Sequence, residues 1–286
     1  MKRLSYITII SALFALTSCE KTVIDENSGN VLLQFAPSSS DATRATVNIG
    51  DYFAKLNVQL FTPDGQKVFD KVRTQLRTDD NFGQLACQLS PGTYTVVAVG
   101  HSSKISASIK STEMVQFTAS DGEKLTDTFC HCGTVSVGSD GGQYSLTMHR
   151  VAAMLRFRLT DSPMPERFAS LEISYTGGSA NFNPTTYEGC TKSTQSETRQ
   201  RNATAVYEAY TFPYLSKSCA LKVTLSALAS DGTIITTKTL TDVPVARNRI
   251  TTYTGPLFTD GPTEITQTAF GFTVNPDWDG DDHYTF

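Results

Sequence analysis

The sequence predicts an all-β protein built as two consecutive β-sandwiches. Three observations carry that expectation. Short apolar stretches recur at regular spacing, with Gly, Pro and Asp turn signals between them. Val151, Ala153, Leu155, Phe157 and Leu159 fall on one face, with Arg156 and Arg158 on the other, the two-residue period of a half-buried strand. Thr and Ser are abundant, aromatic residues reach 10%, and long Ala/Leu/Glu/Lys runs are absent. With 286 residues, two compact cores fit the length better than one.

The N-terminus comes before the folded body. Met1-Lys2-Arg3 is cationic, and a mostly apolar run continues to Leu16. That run is shorter than the ~20 residues a membrane-spanning helix needs. Cationic start, short apolar run and small residues make a secretory signal. Its end, Leu16-Thr17-Ser18-Cys19, resembles a bacterial lipobox. The resemblance implies cleavage before Cys19 and acylation of Cys19, hence an extracytoplasmic body held by lipid. Each buried CH₂ contributes about 0.8 kcal/mol, so several acyl chains make a permanent anchor. Residues 1–18 are then the signal peptide and 19–30 a polar, flexible tether. The two sandwiches follow at 31–149 and 150–286. Loss of Lys2 and Arg3 takes the formal charge from −4 to −6, since two cations leave and no acid does. A mildly acidic chain with no Lys/Arg cluster gives no reason to expect nucleic acid as a partner.

In chain order, Val31–Phe35 reads as the first strand. The stretch 37–46 is a Ser/Thr-rich loop containing Thr43-Arg44-Ala45. Leu56, Val58 and Leu60 lead to the turn Thr62-Pro63-Asp64-Gly65 and back to Val68. Leu85–Leu89 is a strand, and Pro91-Gly92 turns into Thr93–Val99, which reads as a strong, largely buried strand. Weaker strands are expected at Met114–Phe117, Asp127–Cys130 and Thr134–Val137, then Gln143–Met148. From Val151 the alternation of Ala153, Leu155, Phe157 and Leu159 over Arg156 and Arg158 excludes a helix. Leu171, Ile173 and Tyr175 alternate next, and Thr186–Arg201 reads as a long exposed polar loop. Val206–Phe212, Leu221–Leu228, Ile234–Leu240 and Ile250–Tyr253 are further strands, with Asp231-Gly232 as a hairpin turn. Phe270, Phe272 and Val274 mark the last.

The six cysteines stand at 19, 87, 130, 132, 190 and 219. Lipidation of Cys19 leaves an odd five in an oxidising compartment. Cys190–Cys219 is a candidate disulfide, which spacing alone does not decide. Cys130 and Cys132 would share one face of a strand, with His131 on the other, so Cys130-His131-Cys132 is a poor zinc site. A buried thiol pair, or one partnered by Cys87, is the better reading.

Several stretches together resemble the fimbrial subunits of Bacteroidales, the fimbrillin superfamily of type V pili and its anchor-lipoprotein branch. They are the lipobox, Thr43-Arg44-Ala45, Leu60-Phe61-Thr62-Pro63-Asp64-Gly65 and Leu89-Ser90-Pro91-Gly92-Thr93-Tyr94. To these add Arg150-Val151-Ala152-Ala153-Met154-Leu155, Tyr175-Thr176-Gly177-Gly178, Pro244-Val245-Ala246-Arg247-Asn248-Arg249 and Trp278-Asp279-Gly280. Each is short, and their order along nearly the whole chain carries the likeness. The resemblance implies transthyretin-like Greek-key sandwiches and a place in a surface fimbria at the outer membrane, with other fimbrial subunits as partners. It also implies assembly by β-strand addition, in which an open sheet edge takes a strand from a neighbour. In stalk subunits of that family an arginine-specific cut removes the lipid and first strand. Arg44 stands where such a cut would fall, whereas an anchor subunit would keep Cys19.

Chemical sites are sparse. Asp277-Trp278-Asp279-Gly280-Asp281-Asp282-His283 is densely acidic, but its glycine comes too early for a calcium loop of the EF-hand kind, so a solvated terminal run is expected. Trp278 is expected to pack at a domain end rather than to stack on a sugar. Asn202-Ala203-Thr204 matches a glycosylation acceptor by pattern and is read as loop chemistry. No nucleophile elbow, metalloprotease helix or phosphate loop is present. The expectation is therefore a structural or adhesive fimbrial subunit of anchor type, with no reaction catalysed, no cofactor and no metal. A surface lipoprotein that binds host or bacterial glycans is the alternative, and a hydrolase with an unrecognised site the third reading.

Overall fold

The computed structural model describes residues 29–38, 48–117, 125–259 and 278–286. The first half contributes β1 (Val31–Pro37), β2 (Lys55–Phe61), β3 (Arg73–Leu76), β4 (Gln84–Cys87) and β5 (Gly92–His101). β6 (Ala107–Ser111), β7 (Met114–Phe117), β8 (Thr128–Val137) and β9 (Gly142–Arg150) follow. The second half contributes β10 (Ala153–Leu159), β11 (Ser170–Ser179), β12 (Asn181–Asn183), β13 (Glu188–Gly189) and β14 (Lys192–Gln200). It ends with β15 (Val206–Pro213), β16 (Ser218–Leu228), β17 (Ile234–Ala246), β18 (Arg249–Gly255) and β19 (Gly280–Thr285). The fold is all-β, as expected. No helix among the described residues is long and apolar enough to cross a membrane.

The first sheet runs β3-β2-β5-β8-β9-β1-β4. β8 and β9 meet only through Phe129↔Arg150 and Cys130↔His149, so the sheet curls at that corner. It closes over Val31, Leu33, Leu56, Leu60, Val96, Phe129 and Met148, all buried. The second sheet runs β17-β16-β11-β15-β10-β18-β19, with β14 on the other edge of β11. Its corner is the short contact Gly178↔Pro213 and Ser179↔Phe212. Inside lie Leu155, Phe157, Ile173, Tyr175, Val223 and Tyr253.

A third sheet, β13-β12-β7-β6, draws its strands from both halves. Asn181↔Gln116 and Phe182↔Val115 join β12 to β7. Beneath it, Val97, Val99 and Cys130 from one half pack with Val151, Ala152, Phe182 and Phe212. β5 therefore separates two cores: Val96 and Ala98 face the first-sheet core, Val97 and Val99 the shared one. That double burial is the physical reason for its continuous apolar run.

The alternation at 153–159 forms β10, with Ala153, Leu155, Phe157 and Leu159 inward. The turn after β2 closes as Gly65 N–H donates to Thr62 O and Thr62 N–H to Gln66 O, with Gly65 at φ 83°. Three expectations need correction. The two weak strands at 127–137 are one continuous strand, β8, because its ten residues pair with β5 without a break. The stretch at 192–200, expected as a loop, is β14, paired residue for residue with β11 over Ser170–Thr176. Its inward residues are Gln195 and Glu197, so no apolar period marked it. The acidic end is a strand, β19, and its carboxylates are paired with cations. The expected strand at 270–274 lies outside the described residues.

Candidate functional site

The first strand, Val31-Leu32-Leu33-Gln34-Phe35-Ala36-Pro37, is inserted between two others. It runs parallel to β9 from Val31↔Gly142 to Pro37↔Met148, and antiparallel to β4 from Val31↔Cys87 to Gln34↔Gln84. Its period of two sends Val31, Leu33 and Phe35 into the core, at 1%, 0% and 4% exposure. Asn30 clamps its start: the side-chain amide donates to Leu89 O (2.8 Å), its oxygen accepts from Leu89 N–H (2.9 Å), and its carbonyl accepts from Gly142 N–H (2.8 Å). A Cβ on Gly141 would overlap the Asn30 carbonyl, and Gly141 sits at φ 76°, so only glycine fits there. At the far end, Ser38 N–H donates to Met148 O (2.7 Å). Cys87 lines this slot, and burial, opposed by Arg73, pushes its thiol up to about 11. It is a neutral, unreactive packing group. The arrangement is built to hold a strand.

Among the described residues, the last strand lies at the edge of the second sheet. β19 runs parallel to β18 from Arg249↔Gly280 to Thr254↔Thr285. Asp281 meets Arg156 (3.4 Å) and accepts from Thr252 Oγ1 (2.6 Å), while Asp282 pairs with Arg249 (2.6 Å). The Asp282 bond raises the Arg249 pKa further, against a smaller effect of burial. Just before β19, Trp278 lies under Arg150, with the guanidinium 4.0 Å from its ring centroid and 4.5 Å from that of Phe129. Arg150 also grips Asp127 through Nε (2.8 Å) and Nη2 (2.9 Å), and donates from Nη1 to Asn248 Oδ1 (3.0 Å). Tyr284 stacks on Tyr253 at 4.9 Å, and Phe286 is buried.

Cys19 and Arg44 lie outside the described residues. Cys190 and Cys219, the candidate disulfide pair, stand in this structure as free thiols with separate neighbours. The Cys219 thiol points to Gly177 O (3.7 Å) and Cys190 accepts from Thr191 Oγ1 (4.0 Å). Cys87, Cys130 and Cys132 are free too. Cys130 and Cys132 do share the face toward the joint core. His131 points elsewhere and donates from Nδ1 to Thr147 O (2.8 Å). Among the described residues no group of three or more His, Cys, Asp and Glu could hold a metal ion. Trp278 is 6% exposed, which leaves no platform for a sugar. Sequence reasoning missed the Asn30 clamp and the Arg150 stack, because both depend on residues about 60 to 130 positions apart in the chain.

A family model, described as a family of unknown function (DUF6562), matches residues 24–286. No curated protein matches the chain. Among solved structures it is similar to the fimbrial anchor protein Mfa2 of Porphyromonas gingivalis, at 16% identity and TM-score 0.42, over 74% of this chain and 81% of that one. A candidate adhesin of Bacteroides thetaiotaomicron gives 14% identity and TM-score 0.47, over 72% and 78%. A candidate polysaccharide-binding protein of the same organism gives 12% and 0.49, over 72% and 78%. These similarities are too distant to carry a ligand or an activity across.

Proposed function

The chain belongs to the DUF6562 family, a family of unknown function, and from that premise we propose that it is an anchor-type, lipid-tethered subunit of a surface fimbria. It is held in the outer membrane through Cys19 and joins other fimbrial subunits by β-strand addition. Its work is assembly and adhesion, with no catalysed reaction. The observation that carries this reading is the setting of β1. It is an inner strand with two hydrogen-bonded neighbours, its inward face is apolar, and Arg44 follows it within ten residues. Its pairing with β9 spans more than 100 residues of chain, so it is the kind of non-local contact that forms late in folding.

A cut after Arg44 would release Cys19 and β1 as one piece. It would open the facing edges of β9 and β4 over an apolar slot, where each of three buried side chains contributes roughly 1.5–3 kcal/mol. A strand with apolar residues at alternate positions, supplied by a neighbour, would regain that energy. An uncut chain keeps both lipid and strand and remains an anchor. The test is mass spectrometry of the N-terminus of the protein taken from cell surfaces, with capture of its partners. Acylated Cys19 together with co-purifying fimbrial subunits is the expected result. A chain starting at Ala45 would make it a processed stalk subunit, and an unlipidated chain without fimbrial partners would overturn the reading.

A further inference from the structure

We propose that a pocket at one end of the second sheet binds a carboxylate-bearing sugar unit of the uronic-acid class, with Arg201 gripping the carboxylate. The pocket has a volume of about 550 Å³ and is formed by the loops after β10 and β14. That volume lies within the ~300–1,000 Å³ typical of small-molecule sites. Its polar wall is Asp161, Ser162, Arg201 and Asn202, and Met164 and Ala205 flank it.

The wall is fixed before any ligand arrives. Asp161 accepts from the backbone N–H of Leu257 (2.6 Å) and Phe258 (2.9 Å). Asn202 Oδ1 accepts from Thr204 N–H (3.1 Å) and Thr204 Oγ1 (2.8 Å), which ties down the loop. Ala205 holds a left-handed φ of 51°. Arg201 Nη1 donates to Pro165 O (3.1 Å) and Phe168 O (3.3 Å), and its guanidinium stands 5.9 Å over the Phe168 ring. Among the described residues, Nε and Nη2 of Arg201 have no hydrogen-bond partner. Those two donors form the edge of a guanidinium that takes a carboxylate in two parallel bonds.

Asp161 selects the ligand further. Its oxygens keep lone pairs for sugar hydroxyls, which donate. Its negative charge in the same pocket opposes a dianionic phosphate more than a monoanionic carboxylate. Met164 and Ala205 offer small apolar flanks for the C–H face of a pyranose ring. A single exposed site of this kind binds weakly, in the ~millimolar range, and repetition along a surface structure would multiply the effect. The proposal stands apart from the assembly reading, because every residue it uses lies in the loops of the second sheet and none in the slot of β1.

The experiment is ligand-observed NMR titration of the full mature chain with glucuronate and tri-galacturonate, with galactose and glucose 6-phosphate as controls. Saturable binding of the uronates is expected, with Arg201→Gln weaker by about tenfold or more, the size of a lost charge-assisted pair. Ala203→Trp, a change at an exposed lining residue, should abolish binding without moving the melting temperature. It decides the matter if Arg201→Gln fails to fold. Equal binding of galactose, equal or stronger binding of the phosphate, no binding at about 10 mM, or binding unaffected by Ala203→Trp would each overturn the proposal. Fimbrial incorporation of the same variants is scored separately, so failure of the assembly reading and failure of this site give different results.

Discussion

β1 and β19 are both short terminal strands, and each runs parallel to the strand that closes its sheet, β9 for one and β18 for the other. β1 has neighbours on both sides and carries no charge, and three apolar side chains bury it. Among the described residues β19 has a neighbour on one side, and carboxylates hold it to Arg156 and Arg249. The magnitudes differ. Each buried apolar side chain contributes roughly 1.5–3 kcal/mol whatever the ionic strength, whereas ion pairs that solvent reaches contribute about 0–1 kcal/mol and are screened by salt. Arg249–Asp282 is of that kind, at 26% and 36% side-chain exposure, and Arg156–Asp281, at 19% and 11%, is more sheltered. The parallel pairing they share thus belongs to one strand that stays and one that salt can loosen.

The largest expected effect is at β1. Leu33→Ala should destabilise the protein by about 2–5 kcal/mol through lost burial and an unfilled cavity. Urea unfolding should give the same loss at low and high salt, and a loss under about 1 kcal/mol would mean that β1 is not a core strand.

The pH dependence also belongs to the first half. His101 is fully buried; its Nε2–H donates to Asn57 Oδ1 (2.9 Å), whose amide donates to Thr74 (2.8 Å). Burial, helped by Lys55, pulls its pKa from 6.5 down to about 4. The unfolded chain therefore takes a proton that the folded chain refuses. Stability from this group is complete above pH 6.5 and is lost as pH falls toward 4, by about 3 kcal/mol in all. Melting temperatures across that window should show the slope, and His101→Gln should flatten it. An unchanged slope would assign it elsewhere, His131 being a group shifted in the same direction.

The smallest effect is at the other end. Asp281→Asn with Asp282→Asn should cost about 1 kcal/mol at low salt and less at high salt. Trp278 is the only tryptophan, so its fluorescence reports whether this end is docked. Hydrogen exchange at 280–285 should rise in the same variant. A salt-independent loss would show that Phe286 and the Tyr253–Tyr284 stack hold the strand instead.

Much of the fold was legible where a side-chain period met a core. β10 was readable from Leu155, Phe157 and Leu159, and β5 from a run that two cores bury. β14 was not, because its inward residues are polar and Glu197 is buried against Arg199. The acidic terminus read as solvated because its cations, Arg156 and Arg249, stand 125 and 33 residues away. The pocket around Arg201 left only an Asn-Ala-Thr pattern in the sequence.

By itself the sequence determined the strand class, the turns at Gly65 and Gly232, and the apolar faces, because each follows from neighbours two to four residues apart. Only the tertiary structure decided that the first strand lies beside β9, that a four-stranded sheet draws on both halves, and that a charged segment adds a strand to the second sheet. Parallel pairing and ion pairing between distant segments leave no local period, since their partners are chosen by the closure of the whole chain.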